Sequence, residues 1–154
     1  MIQRIQTLYL LLITGFTACT AYFPLATIST GEQEYSLGAF YLTGSAGEQI
    51  QSTLWLGVLL LVAGVVSLCA IFLYKHRMVQ VRLCGIELVL QLGALIMEGC
   101  YAYRCTHIFA DFDFVAERYH LPVVLPLLSM ILTWLALRAI LKDEYLIQSL
   151  NRIR

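Results

Sequence analysis

Leu54-Trp-Leu-Gly-Val-Leu-Leu-Leu-Val-Ala-Gly-Val-Val-Ser-Leu-Cys-Ala-Ile-Phe-Leu-Tyr74 runs without one charged side chain, and its reading decides the fold. The hydrocarbon layer of a bilayer is about 30 Å thick and a helix rises about 1.5 Å per residue, so about 20 apolar residues cross it. Residues 54–74 meet that length. On either side, three more stretches do the same: about Thr7 to Pro24, Leu83 to Tyr103, and Leu121 to about Leu141. Across all 154 residues, 60% are hydrophobic, 13% are charged, and the mean hydropathy is +0.77. A water-soluble domain would carry about a quarter charged residues. The expected fold is a single all-α membrane domain, residues 1–154, built as an antiparallel four-transmembrane-helix bundle.

The basic residues orient the bundle, because loops rich in Lys and Arg stay cytoplasmic. With the N-terminus inside, Arg4, Lys75, Arg77, Arg82, Arg138, Lys142, Arg152 and Arg154 are inside and only Arg104 and Arg118 are outside. Both termini are therefore expected in the cytoplasm. Phe16-Thr17-Ala18-Cys19 is similar to a lipoprotein cleavage site, but a lone Arg precedes it and three spans follow, so an uncleaved first span is expected.

Between the first two spans, residues of about 26–53 carry β signals. Ala26 to Thr30 is β-branched, Gly31-Glu32 suits a tight turn, and Gln33 to Thr43 follows with Tyr35, Leu37, Phe40 and Tyr41. A small hairpin or sheet of up to three strands is expected there, bent at Gly38, with Gly44 to Gly47 as a flexible joint into the second span. Residues 104–120 are expected to form a short helix on the membrane surface. Phe109, Phe112, Val115 and Tyr119 would make its apolar stripe, and Asp113, Glu117 and His120 its polar one. Pro126 is expected to bend the outer end of the fourth span. Residues 142–154 read as an amphipathic basic tail.

The zero net charge excludes a basic surface for nucleic acid. Cys19, Cys69, Cys84 and Cys100 fall in apolar runs and Cys105 in a loop, which does not make a disulfide framework. His107, His120 and Cys105 match no metal-ligand spacing, so neither metal nor cofactor is expected. No nucleophile–base pair can be read, and a non-enzymatic role is expected.

The third span alone carries buried polar chemistry. Glu87, Gln91, Ala94 and Glu98 fall on one face at 100° per residue. Ionisable groups in a span face the bundle interior, because hydrocarbon solvates them poorly. By depth, Arg4 and Arg138 are candidate partners for Glu87. Thr14, Thr17, Ser129 and Thr133 are candidates for Gln91, and Arg104 for Glu98. The stripe is either a hydrogen-bonded seam fixing helix register or a route for protons or cations.

MIQRIQTLYLLL (1–12) and RAILKDEYLIQSLNRIR (138–154) resemble a four-span inner-membrane family of Bacteroidota, domain of unknown function 4293. The resemblance implies a Gram-negative inner membrane and brings no catalytic residues. It directs attention to the two termini, where Arg4, Lys142, Asp143, Glu144 and Arg152 are expected to form one cytoplasmic docking surface or to brace each other. The functional expectation is an accessory or scaffold subunit working with a protein partner in the bilayer. The alternative is a small transporter or ion- or proton-coupling protein using Glu87, Gln91 and Glu98.

Overall fold

A computed structural model describes residues 3–30, 33–73, 76–108 and 115–152, with backbone alone at 3, 4, 115 and 146–152. The chain runs α1 (Gln3–Tyr22), β1 (Ala26–Thr30), β2 (Gln33–Leu37), β3 (Tyr41–Thr43), β4 (Gln49–Ser52), α2 (Leu54–Phe72), α3 (Arg77–Ile108), β5 (Val115–Tyr119), a 3-10 turn (Leu121–Val124) and α4 (Leu125–Arg152).

The helices form a ring in which α1 packs on α2, α2 on α3, α3 on α4 and α4 on α1. Each is long and apolar enough to cross a membrane. Their buried positions recur in steps of about three and four. On α1 these are Gln6, Leu10, Ile13, Thr17 and Thr20. On α2 they are Leu56, Leu60, Ala63, Ser67 and Ala70, and on α3 Gln80, Cys84, Glu87, Gln91, Ala94 and Glu98. A 3.5-residue repeat keeps one stripe facing its neighbours, the geometry of antiparallel bundles. The stripes are narrow and partly polar, whereas the outward faces are apolar: Val65 is 59% and Val89 70% exposed. Water would punish that inverted arrangement and lipid would not. Exposed Tyr22, Trp55 and Tyr103 ring the sheet end, and exposed Phe72 and Tyr145 the other, as aromatic side chains do at membrane interfaces.

Both loops at the sheet end contribute to one antiparallel sheet of order β4-β3-β2-β1-β5. Its inner face places Ala26, Ile28, Leu37 and Leu42 against Cys105 of α3. Pro24 ends α1, because the residue before a proline is driven out of helical backbone; the Leu25 N–H then bonds the Leu37 carbonyl at 2.7 Å and starts the sheet.

Several expectations are corrected. The stretch 104–120 is not a surface helix: α3 continues to Ile108, and Val115–Tyr119 is a strand pairing with β1, Ala26 opposite Tyr119 and Thr30 opposite Val115. Tyr119 and Glu117 therefore sit on one side of a strand, and the separate polar stripe with His120 does not form. Phe109, Phe112 and Asp113 lie outside the described residues, as does the Gly31-Glu32 turn. The first loop contributes four strands, and Gly44 to Gly47 is the turn between β3 and β4, with the Gly47 N–H on the Gly44 carbonyl at 2.9 Å and Gly47 at φ +78°. Cys105 is buried on a helix. Arg77 and Arg82 lie in the first turns of α3. Pro126 stands in the first turn of α4, directly after the 3-10 turn Leu121–Val124, where its missing N–H costs no helical hydrogen bond. The tail is a continuation of α4 to Arg152.

Candidate functional site

The α3 stripe faces the centre of the bundle. Glu87 is 1%, Gln91 0% and Glu98 5% exposed. Helical spacing brings Gln91 one turn beyond Glu87, and its Nε2 donates to Glu87 Oε1 at 2.9 Å. The same Nε2 donates to Thr17 Oγ1 at 3.1 Å. Since α1 and α3 stand opposite each other in the ring, this bond crosses the bundle's centre. Thr17 in turn donates to the Ile13 carbonyl of its own helix at 2.7 Å.

Among the other residues singled out by depth, Thr14 bonds Ser67 of α2 at 2.7 Å and its own Leu10 carbonyl at 2.9 Å. Thr133 donates to the Ser129 carbonyl at 2.7 Å. The Arg138 guanidinium lies over the Trp134 ring at 4.5 Å on the outside of α4, a cation–π contact directed away from Glu87. The Arg104 side chain is exposed and does not meet Glu98. The Arg4 and Arg152 side chains lie outside the described ones.

Five oxygens in this core have no hydrogen-bond partner among the described residues: Glu87 Oε2, Gln91 Oε1, both Glu98 carboxyl oxygens and Ser129 Oγ. Buried polar atoms are normally satisfied, so this concentration is unusual. Four of the five are pure acceptors.

At the opposite end from the sheet, Gln6 Nε2 donates to Asp143 Oδ2 at 2.8 Å, and Arg77 of α3 approaches the same oxygen at 3.9 Å. Asp143 is 7% exposed. Of the cluster expected from the termini, Asp143 thus joins α1, α3 and α4. Gln6 was missed by sequence reasoning, although its register with Leu10, Ile13 and Thr17 marks it as inward.

At the sheet end, an apolar cavity of about 480 Å³ between α1 and α4 is lined by Phe16, Cys19, Phe23, Leu121, Pro122 and Leu125 among others. His120 Nε2 at its edge is 2.7 Å from Thr27 Oγ1 of β1. Nearby, Tyr119 donates to Glu117 Oε2 at 3.0 Å, and this bond raises the phenol's pKa. Among the described residues no His, Cys, Asp and Glu gather as a metal-binding group.

A family model described as Domain of unknown function (DUF4293) matches residues 2–153. No curated protein matches the chain.

Proposed function

Because the chain belongs to the DUF4293 family, we propose that it serves in the inner membrane of a Bacteroidota bacterium as a non-enzymatic accessory or scaffold subunit of an envelope complex, with both termini cytoplasmic and a protein partner in the bilayer. One observation carries this reading: the bundle is fastened at both ends. The β1–β5 pairing joins the two loops at the sheet end into a single sheet. At the other end Asp143 takes Gln6 and Arg77 together. A body closed in this way keeps its shape, which suits a part that holds other parts. Gating by relative movement of α1 and α4 would have to break one of these fastenings. The basic asymmetry of eight residues against two supports the cytoplasmic placement of the termini.

The test is purification from native membranes in a mild detergent with a tag after Arg154, followed by native mass spectrometry. A co-purifying protein at fixed stoichiometry is expected. A chain recovered only alone or with copies of itself overturns the reading. Protease accessibility of the same tag from the periplasm overturns the orientation.

A second reading, ion or proton coupling along α3, is favoured by the unpartnered oxygens of Glu87, Gln91 and Glu98. Reconstituted vesicles test it: flux abolished by Glu87→Gln with Glu98→Gln supports it, and absence of flux in the unmodified protein removes it.

A further inference from the structure

We propose that the cavity between α1 and α4 at the sheet end holds one acyl chain of a phospholipid, with the lipid's phosphate at His120 and Arg118. This site requires neither the scaffold nor the coupling reading, only that lipid surrounds the bundle.

Two prolines make the space. Pro24 turns the chain out of α1 into β1, and Pro122 sits in the 3-10 turn that leads into α4, so regular helix packing stops short of the sheet. The inner side of the gap is closed. Thr20, 0% exposed, donates to the Phe16 carbonyl at 3.0 Å and reaches the Pro122 carbonyl at 3.5 Å. The outer side is open, with Phe23 and Leu121 exposed at the mouth. The remaining volume of about 480 Å³ lies within the range of small-molecule sites, about 300–1,000 Å³. From Phe23 to Phe16 the wall runs about 10 Å into the span.

Apolar walls give water no hydrogen-bond partners, and left empty they forfeit dispersion contacts. Hydrocarbon chains are the medium at this depth, so an acyl chain fills the space. The rim selects the headgroup. His120 Nε2 is 2.7 Å from Thr27 Oγ1, and the His120 N–H bonds the Leu25 carbonyl at 2.9 Å, extending the β1–β5 ladder one step past Tyr119. Arg118 stands two residues before His120 and directly opposite Thr27. The three side chains therefore share the sheet face away from Ile28 and Cys105.

Arg118 is exposed, and a guanidinium holds phosphate oxygens through paired N–H groups. The His120 tautomer that accepts the Thr27 proton carries its own on Nδ1, a second donor. Of the described carboxylates in these strands, Glu117 is on the other face, bonded by Tyr119, and Glu34 is on β2 with β1 between. An apolar slot with a cationic rim is complementary to one molecule that joins an acyl chain to a phosphate.

The experiment uses the full chain in maltoside micelles with a phosphatidylglycerol that carries a diazirine in one acyl chain. Illumination and peptide mapping should find label at 16–24 and 121–125, several-fold above the lipid-facing stretches around Val65 and Val89. Unlabelled phosphatidylglycerol should compete, and diacylglycerol of the same chains should compete several-fold less well. Cys19→Phe, which fills the cavity, should remove the enrichment; Ala18→Phe, the same bulk on an exposed neighbour, should not. Arg118→Gln with His120→Gln, both at exposed positions, should erase the preference for phosphatidylglycerol over diacylglycerol. Uniform labelling overturns the proposal, as does enrichment that survives Cys19→Phe. Equal competition by the two unlabelled lipids overturns it too, since the rim then reads no phosphate. Disulfide capture of Cys19 by Cys19 of a second chain on mild oxidation would place a protein copy on this face and equally overturn it.

Discussion

Asp143, near the end of α4, accepts a 2.8 Å hydrogen bond from Gln6, in the second turn of α1, across 137 residues of sequence. The carboxylate is 7% exposed and also has Arg77 at 3.9 Å. Three helices therefore converge on one side chain at the end of the bundle that carries both termini. The contact requires residues of the first and last helices to match each other.

Asp143→Ala should destabilise the protein by about 1–3 kcal/mol, because the Gln6 amide is left buried without its charged acceptor. Asp143→Asn keeps an acceptor oxygen and should cost less. A double-mutant cycle with Gln6→Ala, followed by thermal melting in detergent, should give a coupling of about 1 kcal/mol. Additive single effects would mean that the two side chains do not cooperate.

The β1–β5 pairing can be captured covalently. Ser29 and Ala116 are directly opposite in the antiparallel register, on the face away from Ile28 and Cys105. Opposed strand residues have Cα atoms about 4.5–5.5 Å apart, within the span of a disulfide. Ser29→Cys with Ala116→Cys should therefore crosslink on mild oxidation and keep the two loops joined after proteolysis between them. Thr27→Cys with Ala116→Cys, out of register by one pair on the same face, should crosslink poorly. The opposite ranking would remove β5 from its place.

Gly57 sits beneath the Phe40 ring, and a Cβ built at position 57 would overlap that ring. Phe40 belongs to the bend between β2 and β3, whose carbonyl also accepts the Thr53 N–H at 2.9 Å. Gly57→Ala should push the ring aside and cost about 1–3 kcal/mol, as overpacking does. Phe40→Leu in the same chain should recover part of that loss. Melting midpoints of the two single variants and the double variant decide it, and a loss unchanged by Phe40→Leu would place the clash elsewhere.

Hydropathy made the four spans legible, since a run such as 54–74 admits few other readings. The inward face of α3 was legible for the same reason that it is costly: Glu87, Gln91 and Glu98 share a helical stripe and polar groups avoid lipid. β5 was not legible. Val115 and Tyr119 are four residues apart, which fits one turn of helix, and they are also alternate positions of a strand with Glu117 between them. Only pairing with β1, more than eighty residues earlier, decides between the two periods, and no local turn signal announces it. Partner assignment by depth was also insufficient. Arg138 has a plausible depth for Glu87, but the rotation of α4 buries Ala136 and Ile140 and turns Arg138 outward onto Trp134. Depth fixes one coordinate of a side chain and leaves its direction about the helix axis free.

Glu98 provides the sharpest contrast with Glu87. Glu87 accepts a bond from Gln91, whereas neither Glu98 oxygen has a partner among the described residues although the side chain is 5% exposed. Leaving a buried polar group unpaired costs about 1–3 kcal/mol, and replacing it with an apolar group of similar shape is neutral or stabilising. Glu98→Met keeps the length of the side chain and removes both oxygens. It should leave the melting midpoint unchanged or raise it by a few degrees, about 2–4 °C for each kcal/mol recovered. Glu87→Met should lower the midpoint, because it removes the acceptor of Gln91 and frees the amide that reaches Thr17 across the bundle. Measuring both variants under one set of conditions separates a structural carboxyl from a dispensable one. A midpoint lowered as far by Glu98→Met as by Glu87→Met would show that Glu98 is held by a partner in the membrane-embedded protein, and the contrast drawn between the two carboxyls would fail.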